Sequence, residues 1–132
     1  MVNKFWLITI VVVVLDQILK WVIRSFVKIS IPVVSFFSIA NIQNTGAGFG
    51  VLPGQRIFLV IVSLLVITFI IWKERGIFWS LILGGAIGNV IDRILFGSVT
   101  DFLAFSFWPA FNIADMAVVF GVIGLLVYYW KE

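Results

Sequence analysis

Four aspartates, Asp16, Asp92, Asp101 and Asp115, make up most of the six acidic side chains in this sequence, and each lies inside or at the edge of an apolar stretch. A charge at the centre of a bilayer costs about 2.5–3.5 kcal/mol on insertion scales, so ionisable residues in such stretches are candidates for function. Asp101 and Asp115 are the sharpest pair. Two carboxylates a few ångströms apart do not both ionise comfortably, so one keeps a proton near neutrality. The ionised member can take a proton from water while the protonated member donates to a carbonyl oxygen or a leaving nitrogen. Aspartic peptide hydrolysis works in this way and requires neither a metal nor a nucleophilic side chain.

The missing residue types narrow the alternatives. The chain has no Cys and no His, so it has no disulfide, no thiol nucleophile, no Ser-His triad and no imidazole ligand for zinc. No cofactor and no metal are expected. The net charge of +3 is scattered, with no basic run, which argues against a nucleic-acid partner. A small four-helix proton-coupled transporter is the main rival reading. It would place its carboxylate near the midplane, whereas these aspartates crowd one face. A Ser/Lys peptidase with Lys20 as base ranks last, for want of a serine in a distinctive motif.

Other polar groups cluster around the pair. Asp16 and Lys20 are four apart, in the favourable order for an ion pair on one helix face. The pair either lowers the cost of insertion or braces a neighbouring site. Asn89, Asp92 and Arg93 share a face of a helix and follow Gly84, Gly85, Ala86 and Gly88, small residues that let membrane helices approach closely. Packing and an interfacial Asp92–Arg93 pair account for much of this segment, but not for the amide of Asn89, which needs a partner. Asn112 and Asp115 fit an N-cap with a favourable first-turn charge; their place opposite Asp101 gives them a second reading, at the site. Phe102, Phe105, Phe107, Trp108 and Phe111 read as an interfacial aromatic belt, compatible with the floor of a groove for a lipid chain.

The elements that must carry these residues follow from the apolar runs. The 132 residues are 63% hydrophobic and 11% charged, with a mean hydropathy of +1.23, the composition of an integral membrane protein. Helical spans are predicted at residues 5–26, 57–72, 77–95 and 112–130, each near the ~20 residues a bilayer requires. They leave room for one compact bundle, a single domain over residues 1–132. Asp16, Gln17 and Lys20 within the first run mark it as a retained helix, not a cleaved signal. Residues 31–44 are β-branched and punctuated with polar groups, which suits short strands. Residues 46–54 form a turn-rich loop, Lys73-Glu74-Arg75-Gly76 a tight polar turn, and residues 96–111 a wet aromatic loop. Four spans bring both termini to one side, and all four aspartates with Asn44 to the other. Charge counting does not orient the bundle: Lys4, Lys73, Arg75 and Lys131 stand against Lys20, Arg24, Lys28, Arg56 and Arg93.

Five motifs occur in order: Asp16-Gln17-x-x-Lys20, Asn44-Thr45-Gly46-Ala47-Gly48-Phe49-Gly50, Gly84-Gly85-Ala86-x-Gly88-Asn89-x-x-Asp92-Arg93, Gly97-x-Val99-x-Asp101-Phe102 and Phe111-Asn112-Ile113-Ala114-Asp115. In these the chain resembles lipoprotein signal peptidase (signal peptidase II) from end to end. The resemblance implies an all-α membrane fold of four transmembrane helices with a small extracytoplasmic β-cradle. It implies an aspartic endopeptidase of the bacterial cytoplasmic (inner) membrane, multi-pass, with cytoplasmic termini and an active site near the outer leaflet. Its substrate would be a diacylglyceryl-modified prolipoprotein, cut just before the lipidated cysteine, with membrane lipid as the other partner and a monomer as the expected state. The family's catalytic pair maps onto Asp101 and Asp115. Its supporting polar residues map onto Asp16, Lys20, Asn44, Asn89, Arg93 and Asn112, and Asp92 belongs to the same motif. Gly48 replaces the family's usual Ala. The segment after Phe49 is short, so the amphipathic helix that normally flanks the site there is expected to be truncated.

Overall fold

A computed structural model describes residues 3–73 and 75–132; Glu74 of the predicted polar turn lies outside the described residues. Among those described, four helices are long and apolar enough to cross a membrane: α1 (Lys4–Phe26), α2 (Arg56–Lys73), α3 (Ile77–Phe96) and α4 (Ile113–Trp130). At 1.5 Å per residue the shortest of these, with 18 residues, is about 27 Å long, close to the thickness of a hydrocarbon core. Their outward surfaces are covered with exposed Leu, Ile, Val and Phe, as lipid-facing helices require.

α3 is the centre of the bundle and packs against each of the other three helices. Its small residues make this possible. A Cβ on Gly84 would strike Val12 of α1, and one on Gly85 would strike the Ala114 carbonyl of α4. α1 turns Phe5, Thr9, Val12, Asp16, Lys20 and Ile23 inward, an inward stripe at three- and four-residue spacing. Its apolar half packs at the terminal end of the bundle, where Phe5, Ile70, Ile82 and Leu83 form one core cluster. Its polar half lies towards the opposite end, near a second cluster of Ile23, Val27 and Phe102. α2 is peripheral, with only Leu59 and Ile70 buried.

At that opposite end sits an antiparallel sheet of β1 (Ile31–Val34), β2 (Phe37–Asn44), β3 (Val99–Phe105) and β4 (Trp108–Phe111), in spatial order β1-β2-β3-β4. The strands expected in residues 31–44 are present. Residues 96–111, expected as a loop, instead supply the other half of the sheet. The reason is burial: Val99, Thr100, Asp101 and Phe102 are all buried, so β3 shows none of the alternation that marks a half-exposed strand. Ile42 pairs with Asp101 and Asn44 with Val99, which brings the loop after β2 alongside Asp101.

Two short devices fix the ends of the elements around the site. Gly97 takes a left-handed conformation (φ 78°) and closes α3 by donating to the Arg93 carbonyl. Arg56, the first residue of α2, donates from Nε to the Arg93 carbonyl at 2.7 Å and from Nη2 to the Ile94 carbonyl at 2.8 Å, satisfying carbonyls that a helix end leaves unpaired. After β2 there is a single 3-10 turn at Gly48–Gly50 before α2 begins at Arg56, so no amphipathic helix flanks the site there, in keeping with the shortened sequence.

Candidate active site

Asn112 organises the site. As the N-cap of α4, its side-chain oxygen accepts from the Asp115 backbone N–H at 2.8 Å, while its own backbone N–H donates to Asp115 Oδ2 at 3.2 Å. This reciprocal capping box satisfies two helix-end donors. Its amide nitrogen is left to reach the other way, to Asp101 Oδ1 at 2.9 Å on β3 and Asn89 Oδ1 at 3.1 Å on α3. The capping and site readings of Asn112 are therefore both realised, by different atoms of one side chain. Asn112 thus joins Asp101 to the first turn of the helix that carries Asp115.

Each aspartate has a further amide donor. Asn44 Nδ2 donates to Asp101 Oδ2 at 3.1 Å, and Asn89 Nδ2 donates to Asp115 Oδ1 at 2.9 Å. Asn44 is itself held by the loop, accepting from the Gly46 N–H at 2.8 Å and donating to the Ala47 carbonyl at 2.9 Å. Asp101 is 2% exposed, whereas Asp115 is half-buried and borders a cavity. Burial pushes the Asp101 carboxyl up to about 7, and the negative charge of Asp115 pushes the same way; the hydrogen bonds from Asn44 and Asn112 and the charge of Lys20 oppose them.

Charged side chains on α1 and α3 brace the residues around the pair. The ammonium of Lys20 is fully buried and donates to Asp16 Oδ2 at 2.7 Å, Asn89 Oδ1 at 3.0 Å and Asp92 Oδ2 at 3.2 Å, which uses all three of its protons. Asp16 Oδ1 accepts from the Ala114 N–H at 2.9 Å, so it also holds the start of α4. Gly88 makes room for it: a Cβ there would lie 2.5 Å from Asp16 Oδ2. Asp92 accepts from the Thr100 N–H at 3.1 Å and thereby fixes the residue before Asp101. The Asp92–Arg93 pair expected from sequence is replaced by these contacts. Arg93 turns instead to the Gly46 carbonyl at 3.2 Å, and its Nε is buried without a hydrogen-bond partner.

Thus Asp16, Lys20, Asn44, Asn89, Asp92, Arg93, Asn112, Asp101 and Asp115 all join one network. Four members were not assigned from sequence. Gln17 donates to the Gly88 carbonyl at 2.9 Å and to Asp92 at 3.0 Å. Arg24 approaches Asp92 at 3.8 Å and donates to the Thr100 hydroxyl at 3.1 Å. Thr100 also accepts from Gln43 at 3.1 Å. Arg24 continues the Asp16, Lys20 spacing by one more turn, so its signal was present; Thr100 carried none. Three cations, Lys20, Arg24 and Arg93, face four carboxylates, and neutrality leaves room for one proton on the pair.

Comparisons with known proteins converge on one family. A family model described as signal peptidase (SPase) II matches residues 8–131. The lipoprotein signal peptidase of Halothermothrix orenii is 40% identical over 138 residues, covering 96% of this chain and 95% of its own length. That of Moorella thermoacetica is 42% identical, covering 90% and 87%. Two solved structures of bacterial membrane enzymes, obtained by the in meso method at 2.3 and 1.9 Å, superpose with TM-scores of 0.87 and 0.82 at 32% identity. They cover 99% and 100% of this chain and 90% and 96% of their own.

Proposed function

The chain belongs to the signal peptidase II family, and from that membership we propose that it cleaves prolipoproteins just before a diacylglyceryl-modified cysteine, with Asp101 and Asp115 as the catalytic pair. The family gives a multi-pass bacterial membrane peptidase that acts on prolipoproteins; the bond cut and the residues that cut it are our reading. The observation that carries it is Asn112, whose one side chain binds Asp101 and caps the helix bearing Asp115.

Near pH 7 the pair holds one proton. Asp101, with its carboxyl raised to about 7 by burial and by the charge of Asp115, carries it, and Asp115 is the anion. Asp115 takes a proton from a water molecule as that oxygen attacks the carbonyl carbon of the residue before the cysteine. Asp101 gives its proton to the carbonyl oxygen, producing a tetrahedral diol. On collapse the C–N bond breaks, and the proton taken by Asp115 passes to the cysteine nitrogen, which leaves as an amine. A proton from the diol returns to Asp101, restoring the starting state. In this reading Arg93, whose Nε has no hydrogen-bond partner, helps to steer the substrate backbone.

Recognition is lipid first. Lipid burial contributes about 0.8 kcal/mol per methylene, so two acyl chains outweigh any single peptide side-chain contact. Orientation follows the family resemblance, with cytoplasmic termini and the aspartates near the outer leaflet. Lys20 and Arg93 are buried in the bundle and do not count as flanking residues, which leaves Arg24, Lys28 and Arg56 against the four cations of the terminal side. The terminal side then holds the larger share, which supports that orientation.

The test is turnover of a diacylated prolipoprotein and its unlipidated precursor by wild type, Asp101→Asn and Asp115→Asn. Wild type should cleave the lipidated form and nearly ignore the other, and each variant should fall below about a tenth of wild-type activity, a loss of more than ~1.4 kcal/mol. A variant above that level would not be a member of the catalytic pair. Equal turnover of the two precursors would sink lipid-first recognition.

A further inference from the structure

β4 divides two cavities, and each opens onto one aspartate. On one side Trp108 and Phe111 face a cavity of about 350 Å³ with Asp115, Met116, Val119 and Phe120. On the other, Pro109 and Ala110 face a cavity of about 270 Å³ with Gln43, Asn44, Thr45 and Asp101. A peptide whose scissile bond lies between the two carboxylates must send one flank into each.

The walls assign the flanks. In the first cavity Asp115 is the one charged group, and Met116, Val119 and Phe120 stand at i, i+3 and i+4 on one face of α4, a helix long and apolar enough to span a membrane. The second is built from strand and loop residues beyond the ends of the spans and offers amides and a hydroxyl. The part of a prolipoprotein that lies in the bilayer fits the first cavity; the chain that continues into water fits the second.

Resting on the proposed cleavage before a lipidated cysteine, we infer that the cavity over Asp101 is the subsite for the residue following that cysteine, with Ala110 and Thr45 setting the size it accepts. Thr45, Gly50, Pro109 and Ala110 are the small members of its wall, so the room beside Asp101 depends on them. One methylene more or less in a pocket changes the rate by about 10- to 200-fold, so a large side chain at 110 should be read in the relative rates of small and large residues after the cysteine.

Two measurements test this on the full-length enzyme in lipid. In the first, a diacylated prolipoprotein peptide carries a photoreactive benzophenone side chain immediately after the cysteine and is cross-linked to the Asp101→Asn enzyme. Adducts are expected within residues 43–45 or 109–110; adducts on residues 116–120 would overturn the assignment. In the second, peptides with Gly or Trp after the cysteine are turned over by wild type and Ala110→Trp. The ratio of kcat/KM for the Trp peptide to that for the Gly peptide should fall about tenfold or more in the variant. That ratio is independent of the fraction of enzyme that folds, and an unchanged ratio refutes the subsite. Failure of wild type to cleave either peptide would instead refute the proposed cleavage itself, a different result from normal cleavage with an unchanged ratio.

Discussion

Replacing Asn112 with serine separates the two tasks of that side chain. A serine hydroxyl is as good an N-cap as an asparagine oxygen, so the bond from the Asp115 N–H survives, as does the backbone bond from residue 112 to Asp115 Oδ2. The amide nitrogen is lost, and with it the 2.9 Å bond to Asp101 and the 3.1 Å bond to Asn89. A hydrogen bond involving a charged group contributes about 1.5–3 kcal/mol. If that loss falls on the transition state, kcat/KM drops by roughly 10- to 150-fold. A second readout follows from titration. In the proposed mechanism Asp101 is the acid, so activity should be present while it is protonated and lost as pH rises through its value of about 7. The Asn112 bond holds that value down, so its removal should move the alkaline limb to higher pH. Asn112→Ala should show the same kinetics with a further loss of about 1 kcal/mol of stability, because the cap goes too. The assay is kcat/KM on a diacylated peptide from about pH 5 to 9, since that ratio reports the free enzyme's essential groups. A serine variant within about twofold of wild type, with an unmoved alkaline limb, would refute the claim that Asn112 positions the pair.

Lys20→Met should destabilise the fold by about 3–5 kcal/mol, measured by unfolding in detergent, because Asp16 and Asp92 lose the buried cation they share. Gly88→Ala should cost about 1–3 kcal/mol, since its methyl meets Asp16 Oδ2 and the facing helices must part. Gly48→Ala should be neutral by the same measurement, as a Cβ there meets nothing within 4 Å. Exhaustive chelation should leave activity intact; loss with recovery on adding one divalent ion would replace the two-aspartate mechanism with a metal-bound one.

The helices were legible because lipid demands long apolar runs, and their polar faces were legible because Asp16, Lys20, Asn89, Asp92 and Arg93 interrupt those runs at helical spacing. β3 was not, since a strand buried on both faces has no period of two, and Gly97, Ser98, Ser106 and Pro109 around it read as loop signals. The partners of each charge were also hidden. Spacing along α3 suggested that Asp92 would pair with its neighbour Arg93, but they leave the helix in different directions: Asp92 towards Lys20 on α1, Arg93 towards the loop after β2. Gln17, one residue off the inward stripe, reaches Asp92 only through the length of its side chain, which no periodicity reveals.

The bond from the Ala114 N–H to Asp16 Oδ1 joins residues 98 apart in sequence. Synthesis runs from the N-terminus, so Asp16 enters the membrane long before its partner exists. Until the fourth helix is inserted there is no Asp115 and no Asn112 bridging to Asp101, although the three acceptors of Lys20, on α1 and α3, are already made. A partly made chain therefore lacks one member of the proposed pair. On the proposed mechanism, completion of the last helix serves as the activating step.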